Sequence, residues 1–155
     1  MAERRSTAFP LDPSSEAFEP FIGEWDTTGV HGMIPDTVLH GQASIDRMQP
    51  GGFLRIRSSI REDVGIPAGV AILGGDGDSG RYVLLHHDDR GVTRIYDAAI
   101  EGRVLRWWRD APDFAQRYRL TVAADGLSMA GKGELCQDGS TWHQDLDLTY
   151  TRVGT

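Results

Sequence analysis

Apolar and polar residues alternate along most of this chain in short runs, and clusters of Gly, Asp or Pro end nearly every run. A period of two is what a strand with one buried face requires. The first such run opens at Gly23; others cover 38–48, 53–60, 69–74, 81–87, 92–100, 104–109, 114–122, 128–136 and 142–152. Turn chemistry separates them: Gln49-Pro50-Gly51-Gly52, Gly75 to Gly80, Asp88-Asp89-Arg90-Gly91, Glu101-Gly102-Arg103, Ala124-Asp125-Gly126 and Gln137-Asp138-Gly139-Ser140. His31 to Asp36, with Pro35, reads as the connection after the first strand. Residues 1–13 are polar with two prolines and read as a flexible arm. Ser14 to Glu19 then starts like a helix and stops at Pro20, which allows one or two turns.

No segment after Pro20 carries a helical period, so crossover connections, and parallel pairing with them, are not expected. Sequential hairpins must hide their edges, and closure does so most simply. The prediction is all-β: one domain over 14–155, a ten-stranded antiparallel up-and-down barrel with a short N-terminal helix over one end. A two-sheet sandwich is the alternative.

Two stretches mark the seam of such a barrel, Phe21-Ile22-Gly23-Glu24-Trp25-Asp26 and Leu148-Thr149-Tyr150-Thr151-Arg152. Glycine permits a tight turn into the first strand, and the Trp after next can lie across the barrel end. Arg152 over its indole would add about 0.5–2 kcal/mol. These residues, with ten sequential strands, resemble the calycin group of lipocalins, fatty-acid-binding proteins and nitrobindins. Gly51-Gly52-Phe53-Leu54, Asp89-Arg90-Gly91-Val92, Arg94-Ile95-Tyr96-Asp97, Trp108-Arg109-Asp110 and Leu146-Asp147-Leu148-Thr149-Tyr150 are similar to a bacterial lipocalin-like family of unknown function. The resemblance implies a ligand-binding barrel. Its nitrobindin branch implies haem held by a histidine near the start of the last strand, here His143. The glycine-rich run that follows the Trp in nitrobindins is replaced by Asp26-Thr27-Thr28-Gly29-Val30.

Charge and cysteine content narrow the partners. A net charge of −7 spread along the chain lacks the basic stripe of a nucleic-acid binder and would be repelled by an anionic membrane. Cys136 is the single cysteine, which precludes an intrachain disulfide and suits a reducing cytoplasm. Residues 1–15 contain no apolar run of signal-peptide type. A cytoplasmic protein with a small-molecule ligand, monomeric or homodimeric, is expected, with no nucleic acid and no membrane as partner.

Chemistry concentrates in the middle of the chain. Gly75-Asp76-Gly77-Asp78-Ser79-Gly80 matches a dinucleotide pattern in letters, but its aspartates would repel a pyrophosphate and a strand follows where a helix is needed. No histidines share a metal-ligand spacing, and adjacent His86 and His87 on a strand point to opposite faces. Arg94 and Tyr96 share a face of one strand, Arg106 and Trp108 of the next, Gln116 and Tyr118 of the third. Together with His87 they make a candidate ligand wall, in which Arg fixes an acidic or carbonyl oxygen and the rings stack on a flat or apolar body. Salt-bridged, solvent-facing arginines are the competing assignment. No cofactor is required for binding, haem being the alternative. Tyr96, Arg94, His87 and Asp97 could also serve a small cofactor-free isomerase, cyclase or lyase, although Asp97 points away from Tyr96.

Overall fold

The computed structural model describes residues 14–48, 52–75 and 81–154. Ten strands follow in chain order: β1 Gly23–His31, β2 Ile34–Arg47, β3 Leu54–Ile60, β4 Gly69–Gly75, β5 Tyr82–Asp88, β6 Thr93–Glu101, β7 Val104–Arg109, β8 Ala115–Val122, β9 Ser128–Cys136 and β10 His143–Arg152. Each pairs antiparallel with the next, and β10 returns to pair with β1, so the sheet is a closed barrel rather than a sandwich. The expected arm 1–13 and most of the turns at 49–52 and 75–80 lie outside the described residues.

One expectation is refined and one corrected. The N-terminal segment is a single α-turn, α1 Ser14–Ala17, followed by a 3-10 turn over Glu19–Phe21. Pro20 sits in the first turn of the latter, where its missing N–H is not needed, and prevents a longer helix. The connection expected over His31–Asp36 shrinks to Gly32–Met33, because β2 begins at Ile34, directly opposite His31.

One end of the barrel is plugged. Phe18, Phe21 and Trp25 are buried there against Ile45, Leu54, Leu73, Leu84, Leu105, Leu120 and Met129. Burying each such side chain is worth about 1.5–3 kcal/mol. Trp25 Nε1–H donates to the Phe21 carbonyl at 3.2 Å. Arg152 lies over the indole, 4.2 Å from the ring centroid, and donates to the carbonyls of Ile22 (2.7 Å) and Gly126 (2.9 Å). Gly23 is required beneath it: its φ is 153°, and a Cβ would run into the Arg152 guanidinium.

Candidate functional site at the open end of the barrel

Toward the opposite end the inward positions change from aliphatic to polar and aromatic. Cross-strand register identifies them. Tyr96 and Ala98 are buried on β6, and Ala98 stands opposite Trp107, Trp107 opposite Tyr118, and Arg109 opposite Gln116. The inner face of β6–β8 therefore carries Arg94, Tyr96, Trp107, Arg109, Gln116 and Tyr118, and His86 joins it opposite Arg94. On β10 the ladder with β9 slips between Gln144 and Asp147. Such a bulge re-aims side chains, and here it lets Asp145 reach the inner network while Leu146 still packs on the core.

These groups form a hydrogen-bonded chain whose direction is determined at every link. The Met33 N–H donates to His31 Nδ1 at 3.0 Å, so the imidazole proton resides on Nε2 when the ring is neutral, and Nε2–H points to Asp145 Oδ1 at 2.8 Å. Gln116 Nε2 donates to Asp145 Oδ2 at 3.1 Å, and Tyr96 O–H donates to Gln116 Oε1 at 2.7 Å. Burial raises the Tyr96 pKa against the opposing pull of Arg94 and Arg109, so the phenol stays protonated at neutral pH.

Arg94 lies 5.0 Å from the Phe114 ring centroid, and Arg109 Nη1 donates to the Phe114 carbonyl at 2.7 Å. Among the described residues neither has a carboxylate within ion-pair distance. Trp107 stacks on Tyr118 with centroids 4.8 Å apart. Deeper in, the Tyr118 and Tyr150 hydroxyls meet at 2.9 Å, and Gly131 makes room for them, since a Cβ there would strike the Tyr118 hydroxyl. Burial raises both phenols, Tyr150 to about 12. Thr27, 5% exposed and paired with Tyr150 across the seam, buries a hydroxyl with no hydrogen-bond partner. Leaving such a group unsatisfied costs about 1–3 kcal/mol, which a polar ligand atom at that depth would offset.

The structure brings together four of the seven residues singled out from sequence, Arg94, Tyr96, Gln116 and Tyr118. The other three are outside. Arg106 and Trp108 pair with Ala99 and Asp97 on the outer face, where Arg106 stacks on Trp108 and bonds Glu101 at 3.2 Å. His87 faces outward and bonds the Thr93 hydroxyl at 2.7 Å. The physical reason is register: Glu101 pairs with Val104 across the two-residue turn Gly102–Arg103, which puts Trp107 and Arg109, not Trp108, beside Tyr96. Those two residues, with His31, His86 and Asp145, are the interior groups that the alternation alone did not single out.

His143 is exposed at the start of β10, and among the described residues no partner holds its ring. A haem-ligating imidazole ordinarily has its second nitrogen oriented by a hydrogen bond. The inward side chains that a porphyrin would meet include Arg94, Arg109, Gln116 and Asp145. These residues fit a haem poorly. Among the described residues there is also no group of three or more His, Cys, Asp or Glu able to hold a metal ion. A surface groove of about 510 Å³ runs over Gln42, Ser44, Arg57, Ser59 and His87, but it has no Trp, Tyr or Phe and shares no residue with the hydrogen-bonded chain at the mouth.

Fold and site together define a closed ten-stranded antiparallel barrel, plugged at one end and lined at the other by aromatic rings, two arginines and a directed hydrogen-bond chain. Solved structures share that fold. The crystal structure of Rv2717c from M. tuberculosis superposes with a TM-score of 0.65 at 17% identity, covering 93% of this chain and 99% of that one. The S-type phycobiliprotein lyase CPES from Guillardia theta superposes with a TM-score of 0.58 at 13% identity, covering 91% and 93%. Neither a protein-family model nor a curated protein matches the sequence.

Proposed function

We propose that the barrel, calycin-like in its architecture, binds a small, partly hydrophobic ligand whose carboxylate or carbonyl oxygen is held at the open end. The observation that carries this reading is the pair Arg94 and Arg109, inward guanidiniums without a carboxylate partner among the described residues, beside the stacked Trp107 and Tyr118. A partly buried cation without a counter-ion is unfavourable, and a bound carboxylate would supply one with bidentate geometry available from each guanidinium. The rings would cover the apolar body. Net charge −7 and the single cysteine support a cytoplasmic setting.

The test is a fluorescence titration reading Trp107 inside the barrel, with a Trp107→Phe variant as the control for the other tryptophans. Aryl and medium-chain carboxylic acids are compared with their methyl esters. The acid is expected to bind about tenfold more tightly or better, a difference of about 1.4 kcal/mol, and to lose that advantage in Arg94→Ala/Arg109→Ala. Equal affinity for acid and ester in the unaltered protein would refute the reading. An absorption spectrum taken alongside, showing a Soret band that disappears in His143→Ala, would instead favour the haem assignment.

A further inference from the structure

One inward group takes no part in the hydrogen-bonded chain. His86 stands between buried Leu84 and Asp88 on β5, opposite Arg94 on β6 and Ala71 on β4. Its ring rests over Gly69: a Cβ at that position would lie 2.8 Å from Nε2 and 3.1 Å from Cε1. Among the described residues it has no hydrogen-bond partner. The chain places an imidazole without a hydrogen bond opposite the Arg94 guanidinium, which packs over Phe114 and has no carboxylate partner among the described residues.

We infer that His86 is a general base for a substrate anchored by Arg94, and that the open end of the barrel catalyses proton transfer at the carbon next to the keto group of a small aryl or alkyl 2-oxo acid. This rests on the carboxylate-binding reading above. Arg109 would hold the carboxylate and Arg94 the keto oxygen. The C3–H bond breaks and its proton goes to an imidazole nitrogen of His86; the C–H electron pair becomes the C2–C3 double bond while the carbonyl π pair moves onto oxygen, facing the Arg94 N–H groups. The imidazolium then returns a proton to oxygen, giving the enol, or to carbon, giving exchange. Atoms and electrons balance without a further reactant.

The other candidates in the cluster are already committed. His31 has a donor on Nδ1 and an acceptor on Nε2, and Tyr96 directs its proton to Gln116. Burial holds the His86 pKa below the ordinary histidine value. Arg94, His87 and Arg90 push the same way, Asp88 opposes them, and β4 contributes only Gly69 and Ala71 to that face. His86 is thus a free base at neutral pH.

Phenylpyruvate is the probe, and deuterium uptake at its C3 position in heavy water is followed by proton NMR. Exchange is expected at about 100-fold or more above the buffer rate, falling to the buffer rate in His86→Gln while phenylpyruvate still quenches Trp107 with unchanged affinity. Retained quenching shows that the variant is folded. The rate should rise with pH to a plateau, with its midpoint below the usual histidine value. Saturable binding without accelerated exchange, or full exchange in His86→Gln, overturns this assignment and leaves the carboxylate site standing. No binding at all overturns both.

Discussion

Asp88 shows how a single side chain governs a turn. At 3% exposure it ends β5, and its Oδ1 accepts the backbone N–H groups of Arg90 (2.9 Å) and Val92 (3.4 Å) while Oδ2 accepts the Arg90 guanidinium at 2.7 Å. The Arg90 side chain, followed by the two backbone donors, outweighs burial and lowers the carboxyl from 3.8 to about 2. A depressed folded-state pKa adds stability above the unfolded value and loses it as pH falls through the folded value. Between about pH 4 and pH 2 the protein is therefore expected to lose about 1 kcal/mol from this group, a figure discounted because Arg90 is half exposed. Urea unfolding across that window should show the loss in the native protein and a flatter dependence in Asp88→Asn. His86, two residues back, faces the same interior with no such partners. That contrast separates a structural carboxylate from a reactive imidazole.

The decisive element for the site is the β6–β7 hairpin. Gly102 has a φ of 60°, in the left-handed region that a two-residue hairpin turn uses, and nothing would contact a Cβ there. Gly102→Ala should cost about 1–2 kcal/mol through backbone strain alone, read as a lower urea midpoint with ligand affinity unchanged. One residue inserted into the same turn should instead exchange Trp107 for Trp108 on the inner face and abolish binding. The strand positions, their number and their antiparallel order were legible because alternation and turn residues are local signals. So was the assignment of Arg94, Tyr96, Gln116 and Tyr118 to shared faces. The inner face of β7 was not, because parity within one strand is silent on which side is inside; only counting register across Gly102–Arg103 links Tyr96 to Arg109. Asp145 was harder still, since the irregularity between Gln144 and Asp147 breaks the parity that sequence reasoning relies on. The stop at Pro20 was legible too, but not the 3-10 turn over Glu19–Phe21 that follows and buries the Phe21 ring.

At the scale of the whole molecule, closure removes the free sheet edges that invite other chains to pair. It depends on the seam between β1 and β10, where Trp25 stands opposite Arg152. Arg152→Ala should destabilise the fold by about 2 kcal/mol, combining a cation–π contact with two charge-assisted hydrogen bonds. Arg152→Lys should recover little, because a single ammonium cannot stack on the indole and reach both the Ile22 and Gly126 carbonyls. Thermal unfolding distinguishes these outcomes: near-native stability of the Lys variant would assign the seam to charge alone. Because nearest neighbours along the sheet include the first and last strands, much of the stabilising contact is remote in sequence, and folding in milliseconds to seconds is expected.

The seam also sets an order of events during synthesis. Residue 25 is made long before residue 152, so a growing chain on the ribosome can zip its hairpins one after another but cannot join the two ends. Through that interval β1 carries an exposed ladder edge, and the indole of Trp25 lacks its guanidinium cover. At translation rates of about 5–20 residues per second the interval lasts about 6–25 seconds. The nascent protein is then at its most adhesive, and the final strand, by arriving, both completes the vessel and ends the hazard.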